Sequence, residues 1–370
     1  MNGLSAHIAD ARSITLMNVS VTEMVVAVIV AGIVASVTAF ITWGWIKYSH
    51  RKRLLDLPNA RSSHQIATPR GGGIAIVVAA VGVFLWGMLW YKTTELLPIT
   101  AAMLIAAITG WLDDRHQLTA KVKLILTILA VCPLIVGGLI RSDQLQLIVW
   151  ALPVVIPLWL LGIVALLGLT WVVNLTNFMD GINGITVLQT IFLLLALIIL
   201  TWIEALPLSS TYLMVFIYLL VSCFVFLPFN FPRAQVFLGD VGSLSLGVLF
   251  AWLFVVVTQA HAAGWWVMLI LYAVFWVDAT VTLVRRFVAG KSLFEAHRSH
   301  AYQQLANRIF DSHTKASLLL LGINVGWLLP MAYGSLLATY PLIWFVVAVL
   351  PVFVLVICLR AGVDDCERGL

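Results

Sequence analysis

Apolar runs of about twenty residues recur along this 370-residue chain from Met24 to Leu359, separated only by short polar breaks, and they limit its fold severely. A helix of that length crosses a ~30 Å hydrocarbon core. In lipid every backbone polar group must find a partner within the protein, so only helices and closed barrels span. A barrel needs alternating segments of ~10 residues, whereas these runs are continuous and rich in Leu, Ala and Val. The expected fold is an all-α polytopic membrane protein forming a single integral domain over residues 1–370. Its eleven expected spans lie near residues 24–46, 73–91, 96–112, 122–140, 146–171, 185–203, 211–229, 243–260, 264–284, 316–337 and 341–360. Composition agrees: 62% of residues are hydrophobic and only 10% charged, against roughly 25% charged in an ordinary soluble domain.

The net charge of +5 becomes informative once basic residues are placed relative to the spans. With the N-terminus outside, 18 of the 21 Lys and Arg residues fall on the inner side, leaving only Arg12, Lys92 and Arg141 outside. The positive-inside bias therefore predicts N-out, C-in, and explains the charge without nucleic acid. The first apolar run is followed directly by the basic cluster from Lys47 to Arg53 and lacks the pattern of a cleaved signal peptide; it is expected to remain as a span. Cys132, Cys223, Cys358 and Cys366 show neither metal nor redox spacing and are expected to pack inertly.

Outer connections are short and carry few polar residues. Function is sought instead in five inner segments, residues 47–72, 113–121, 172–184, 230–242 and 285–315, which are Gly-rich, charged or both. The third span ends in Gly110-Trp111-Leu112-Asp113-Asp114-Arg115. Adjacent carboxylates raise each other's pKa unless a cation or proton is shared, so the pair suits a metal or proton-transfer role, though alone it also resembles a solvated helix end. In the stretch from Asn174 to Gly184, Asn177, Asp180 and Asn183 offer oxygens at helical spacing, while Gly181 and Gly184 allow close backbone approach. Turn and cap chemistry is the plainer explanation there. In Phe237-Leu238-Gly239-Asp240-Val241-Gly242-Ser243, a carboxylate stands between glycines at a helix start. Asp240 is the first choice for a hard cation such as Mg²⁺, beside the simpler possibility of a helix cap.

Two basic segments complete the set. Arg61-Ser62-Ser63-His64 leads through Thr68-Pro69-Arg70 to three glycines, whose amides suit phosphate. Arg285-Arg286 precedes Ala296-His297-Arg298-Ser299-His300-Ala301-Tyr302-Gln303. Either cluster could instead face acidic lipid headgroups. Jointly the pattern says more, because the orientation was read from Lys and Arg alone. Asp113, Asp114, Asp180 and Asp240 then all land on the inner side, making with the histidines and arginines a site suited to Mg²⁺ and two phosphate groups.

These motifs, in this order, resemble the polyprenyl-phosphate N-acetylhexosamine-1-phosphate transferases (glycosyltransferase family 4) over roughly residues 50–310. The DLPNxRSSH, TPRGGG, LDDR, NFMDG, GDVGS and AHRSH stretches carry the likeness, and the last looks most like that of the O-antigen-initiating branch. It lacks the adjacent histidines of the branch that transfers phospho-MurNAc-pentapeptide. The resemblance implies a multi-pass enzyme of the bacterial inner membrane, active on its cytosolic face. It would move N-acetylhexosamine 1-phosphate from a UDP-sugar to undecaprenyl phosphate, with Mg²⁺ (or Mn²⁺) as cofactor and membrane lipids around it; a homodimer is compatible with it.

It further implies catalytic Asp113, Asp114, Asp180 and Asp240, with metal held by Asp240 and Asn177. His64, Arg70, Lys121, Lys123, Asn183, His297, Arg298 and His300 are implied to bind substrate. Asn183 departs from the second Asp that many bacterial members carry. The rival readings are a secondary transporter of an anionic solute, for which Asp278 is the one intramembrane carboxylate of note, and a CDP-alcohol phosphotransferase. The latter needs further aspartates soon after Asp180-Gly181, and none follows before Asp240.

Overall fold

The computed structural model describes residues 20–57, 66–141, 145–149, 152–291 and 297–363. Nine described helices are long and apolar enough to cross a membrane. A tenth crossing is a bent pair, α9 (Gly264–Leu271) and α10 (Ala273–Val288), which meet at 72°. With the shorter apolar helix α2 (Ile74–Trp90), the expected eleven apolar elements are present, and the protein is a multi-pass, all-α membrane protein.

The first helix, α1 (Val21–Lys52), starts at a capping box in which Ser20 and Glu23 satisfy each other's backbone amides, and its last turn carries His50, Arg51 and Lys52. Those signs match the helix dipole at both ends. After α2 come α3 (Leu97–His116), α4 (Ala120–Arg141), α5 (Leu158–Met179), α6 (Ile185–Trp202), α7 (Ser210–Asn230) and α8 (Gly239–Ala260). Helix α8 is the axis of the bundle: every residue from Gly239 to Leu253 is buried, whereas in α1 only Val34, Thr38, Thr42 and Ser49 are. Small residues make that position tenable. A Cβ on Gly110 of α3 would overlap the Asp240 carbonyl, so the two helices meet backbone to backbone, as membrane helices do where small side chains permit.

One expected boundary is corrected. Residues 146–156 do not begin the fifth span; Leu145–Val149 (β1) and Leu152–Ile156 (β2) pair antiparallel, and the helix starts only at Leu158. Pro153 and Pro157 cannot donate the helical hydrogen bond, and the Ile and Val residues around them favour extended chain. That apolar hairpin reads like a helix by hydrophobicity alone. Four other boundaries also move, because α1 continues to Lys52, α3 to His116, α5 to Met179 and α10 to Val288. Much of what looked like loop is the last turn of a helix.

The bend between α9 and α10 leaves backbone groups without helical partners, and buried side chains meet one of them. Gln189 Nε2 donates to the Leu271 carbonyl at 3.1 Å, while Asn324 Nδ2 holds Gln189 Oε1 at 2.6 Å. After the short helix α11 (Ala301–Gln304), α12 (His313–Ile323) and α13 (Leu329–Leu337) are joined by a π-turn at Asn324–Leu328, just ahead of Pro330. The last helix, α14 (Pro341–Cys358), is followed by Gly362, whose N–H donates to the Ser299 carbonyl. This bond ties the turn after α14 to the basic 297–304 segment.

Candidate active site

The TPRGGG segment lies alongside the FLG segment, joined to it by backbone hydrogen bonds. Phe237 N donates to the Pro69 carbonyl, Gly72 N to that of Phe237 and Gly73 N to that of Leu238, at 2.8–2.9 Å. Gly239 takes φ +73°, and a Cβ there would meet Gly71 and Asp114 Oδ2; the positive φ and the lack of room both call for glycine. Arg70 and Asp240 are thereby brought together at the start of α8.

Two cations knit the carboxylates. Arg70 Nε lies 2.7 Å from Asp114 Oδ1 and its Nη2 2.7 Å from Asp240 Oδ1. Lys123 Nζ lies 2.6 Å from Asp113 Oδ2, 2.7 Å from Asp240 Oδ2 and 3.0 Å from Asn177 Oδ1. Asn177 Nδ2 donates to Asp240 Oδ1 at 3.1 Å and Ser243 Oγ at 2.8 Å. Asp114 also accepts the Asp240 and Val241 amides, at 3.0 and 3.1 Å, so it caps the start of α8 from a different helix. Asp113 accepts the Leu118 amide at 2.7 Å.

Asp180 sits just past the end of α5, within electrostatic reach of Asp240, Arg70 and Asp114. Burial, more than the neighbouring charge of Asp240, pushes its carboxyl up to about 7. The cluster thus assembles three carboxylates on two cations, with Asp180 close by. An excess of negative charge and hard oxygen donors at one end of a bundle is chemically matched to a divalent cation and the phosphates it carries. Among the described residues, no three His, Cys, Asp or Glu side chains converge as a metal cage. Mg²⁺ commonly needs only one or two carboxylates beside substrate phosphates, and the Asp240 and Asn177 oxygens, both already in contact with the Lys123 cation, supply a fitting donor set.

The remaining expected residues divide. Lys121 is exposed, two positions from Lys123 and so on another face of the same helix. Asn183 turns from the carboxylates: its Nδ2 donates to the Pro232 carbonyl, and its own carbonyl accepts from Ser317. His297 and His300 stack with ring centroids 4.9 Å apart. His300 is buried and Arg298 exposed. His64 lies outside the described residues.

Three contributors escaped the sequence reading. Ser243 bonds Asn177, Trp45 Nε1 holds the Arg70 carbonyl at 2.9 Å, and Tyr302 Oη donates to the Phe178 carbonyl at 3.0 Å. Ser243 and Tyr302 stood inside segments already singled out and could have been named. No signal marked Trp45 among the apolar residues of α1.

Residues 96–258, which hold Asp113 through Asp240, match the profile of glycosyl transferase family 4. The chain is 30% identical over 258 residues to a Bacillus subtilis (strain 168) protein named "probable undecaprenyl-phosphate N-acetylglucosaminyl 1-phosphate transferase", covering 68% of this chain and 69% of that one. A decaprenyl-phosphate N-acetylglucosaminephosphotransferase of Mycobacterium tuberculosis is also 30% identical, over 71% of each chain. A phospho-N-acetylmuramoyl-pentapeptide-transferase of Lactococcus lactis is 28% identical over 70% of this chain and 82% of its own. Similarity extending over two thirds of both partners, together with a family profile that encloses the whole carboxylate cluster, decides the affiliation: the chain belongs to glycosyl transferase family 4.

Proposed function

We propose that this protein transfers an N-acetylhexosamine 1-phosphate from a UDP-sugar to undecaprenyl phosphate, releasing UMP. The product is the lipid-linked diphosphosugar that starts an O-antigen or related surface glycan. The carrying observation is the meeting of Asp113, Asp114, Asn177 and Asp240 around Lys123 and Arg70, in a family whose named relatives act on polyprenyl phosphates. The cluster is expected on the cytosolic face of the bacterial inner membrane, with the N-terminus outside and the C-terminus inside, as the basic residues argue.

Asp240 and Asn177 would hold Mg²⁺, or Mn²⁺ in its place, and the bound ion would offset the charge of the donor diphosphate. Lys123 and Arg70 are long enough to give up part of their carboxylate bonding to incoming phosphate oxygens. In the reaction, an oxygen of the lipid phosphate attacks the phosphorus attached to the sugar; the bond from that phosphorus to the bridging oxygen breaks, and UMP leaves with the electron pair. A phosphate monoester has a second pKa of about 6, so near neutrality the attacking group is already largely a dianion. Asp113 therefore need not act as a strong base; it orients Lys123, and Asp114 holds both Arg70 and the start of α8. Direct in-line attack follows more simply than a phosphorylated aspartate.

His297, Arg298 and His300 are proposed to engage the sugar diphosphate, and the single rather than adjacent histidines favour an N-acetylated hexosamine without a peptide. Incubating the purified protein with undecaprenyl phosphate, Mg²⁺ and a panel of UDP-sugars tests the reading. UMP release that depends on the lipid identifies the reaction and the sugar together. Absence of release with every donor would sink it.

A further inference from the structure

Asp278 is buried at 2% exposure in α10, beyond the bend that separates this helix from α9, and no step above uses it. Its partners are specific. Oδ1 accepts the Ala301 amide at 2.8 Å, and Oδ2 accepts the Tyr302 amide at 2.9 Å. Thr282, one turn on in the same helix, donates to Oδ1 at 3.1 Å, and His300 Nδ1 lies 3.4 Å from the same oxygen. One carboxylate therefore receives two consecutive backbone amides of a separate segment, a geometry that fixes the segment's direction as well as its distance.

That segment is the basic loop. Its approach is secured by Gly362 N bonding the Ser299 carbonyl and by Gln304 Nε2 bonding the Arg298 carbonyl at 2.9 Å. Tyr302 carries the connection onward, because its hydroxyl donates to the Phe178 carbonyl, beside Asn177. A Cβ on Gly181 would overlap that hydroxyl, so the 177–183 segment and the Tyr302 ring are in direct contact. Burial holds the Tyr302 phenol well above its usual pKa, which keeps it a hydrogen-bond donor. A path thus runs from Asp278 through the 301 and 302 amides and the Tyr302 ring to Phe178, whose neighbour Asn177 contacts Asp240.

We infer that Asp278 is a positioning residue whose carboxylate docks the 297–302 loop onto the 177–183 segment and so sets affinity for the nucleotide-sugar donor. The inference rests on the transferase reading for its kinetic part, but the docking itself does not. A carboxylate offers an acceptor to each amide, whereas an asparagine offers one acceptor and turns an N–H₂ group toward the second, leaving a buried donor unpaired.

Two measurements on Asp278→Asn test the idea, with Tyr302→Phe as the milder partner and Gln189→Leu as a control for loss of a buried polar contact away from the loop. Hydrogen exchange of the full-length protein in detergent should show the Ala301 and Tyr302 amides exchanging about tenfold faster or more in Asp278→Asn and unchanged in Gln189→Leu. In steady-state transfer, the donor KM should rise about tenfold in Asp278→Asn and about threefold in Tyr302→Phe. The kcat and the lipid KM should stay within about threefold, and Gln189→Leu should leave the donor KM alone. Unchanged amide protection in Asp278→Asn would overturn the docking. Normal donor KM in both loop variants, or a rise in Gln189→Leu equal to theirs, would overturn the link to the donor. Should the wild-type protein transfer no sugar while the amides still loosen in Asp278→Asn, the reaction reading fails and the docking stands.

Discussion

Asp240 and Asp278 are both buried carboxylates on membrane helices, yet their surroundings differ in kind. Asp240 is held by the tips of Arg70, Lys123 and Asn177, mobile side chains that can exchange one oxygen for another. Asp278 is held chiefly by backbone amides and a threonine of its own helix, which have nowhere else to go. The first arrangement keeps charge available to a ligand; the second spends the carboxylate on geometry. The contrast teaches that a buried acid in a membrane bundle is not diagnostic of a site until its partners are known.

Breaking the exchangeable side should cost most. Asp240→Ala removes the carboxylate whose two oxygens each hold one of the cations, and transfer should fall by on the order of 10³-fold or more, with loss of metal-dependent nucleotide binding followed by calorimetry. Retained activity would remove Asp240 from its proposed role. Lys123→Met leaves Asp113 and Asp240 facing each other without their common cation, and kcat/KM should drop roughly 10²-fold, read from UMP release. Asp113→Asn keeps the shape of the Lys123 contact but weakens its charge. Here kcat should fall about tenfold while nucleotide affinity changes by less than about twofold, so an equal loss in both would argue for a binding role instead. The effect of Asp278→Asn should appear mainly in donor KM, which sets the two aspartates apart kinetically.

The smallest effect expected is on stability. Asp180, with a carboxyl lifted to about 7, is protonated more readily in the fold than in the unfolded chain. Its contribution is therefore complete below the ordinary carboxylate pKa of about 4 and is lost as pH rises through about 7. The thermal midpoint of metal-free protein should decline over that window, and Asp180→Asn should flatten the decline. An unaltered slope would show that Asp180 does not hold the proton.

Several parts of this arrangement were legible in the residues because their physics is local. Met24 to Leu359 reads as repeated spans, since each must bury its own backbone bonds in lipid. The LDDR and GDVGS stretches stand out because charge at the end of an apolar run needs a reason. Hydrophobicity alone does not separate helix from hairpin at residues 146–156, where only Pro153 and Pro157 argue against a helix. Lys121 and Lys123 looked equivalent; their two-residue separation on a helix sends them to different faces, and only Lys123 meets Asp113.

By itself, then, the sequence determined the membrane class, the number of apolar elements and the types of residue from which a phosphate-handling site could be built. Those properties follow from hydrophobic run length and from the cost of charge near lipid. Which carboxylate works with which cation was decided by tertiary structure alone. Arg70 and Asp240 are 170 positions apart, and Asp278 reaches the 301 and 302 amides across the bent helix. Such contacts depend on helix rotation, on the room left at Gly110 and on the bend after Leu271, and no local pattern in the chain encodes them separately.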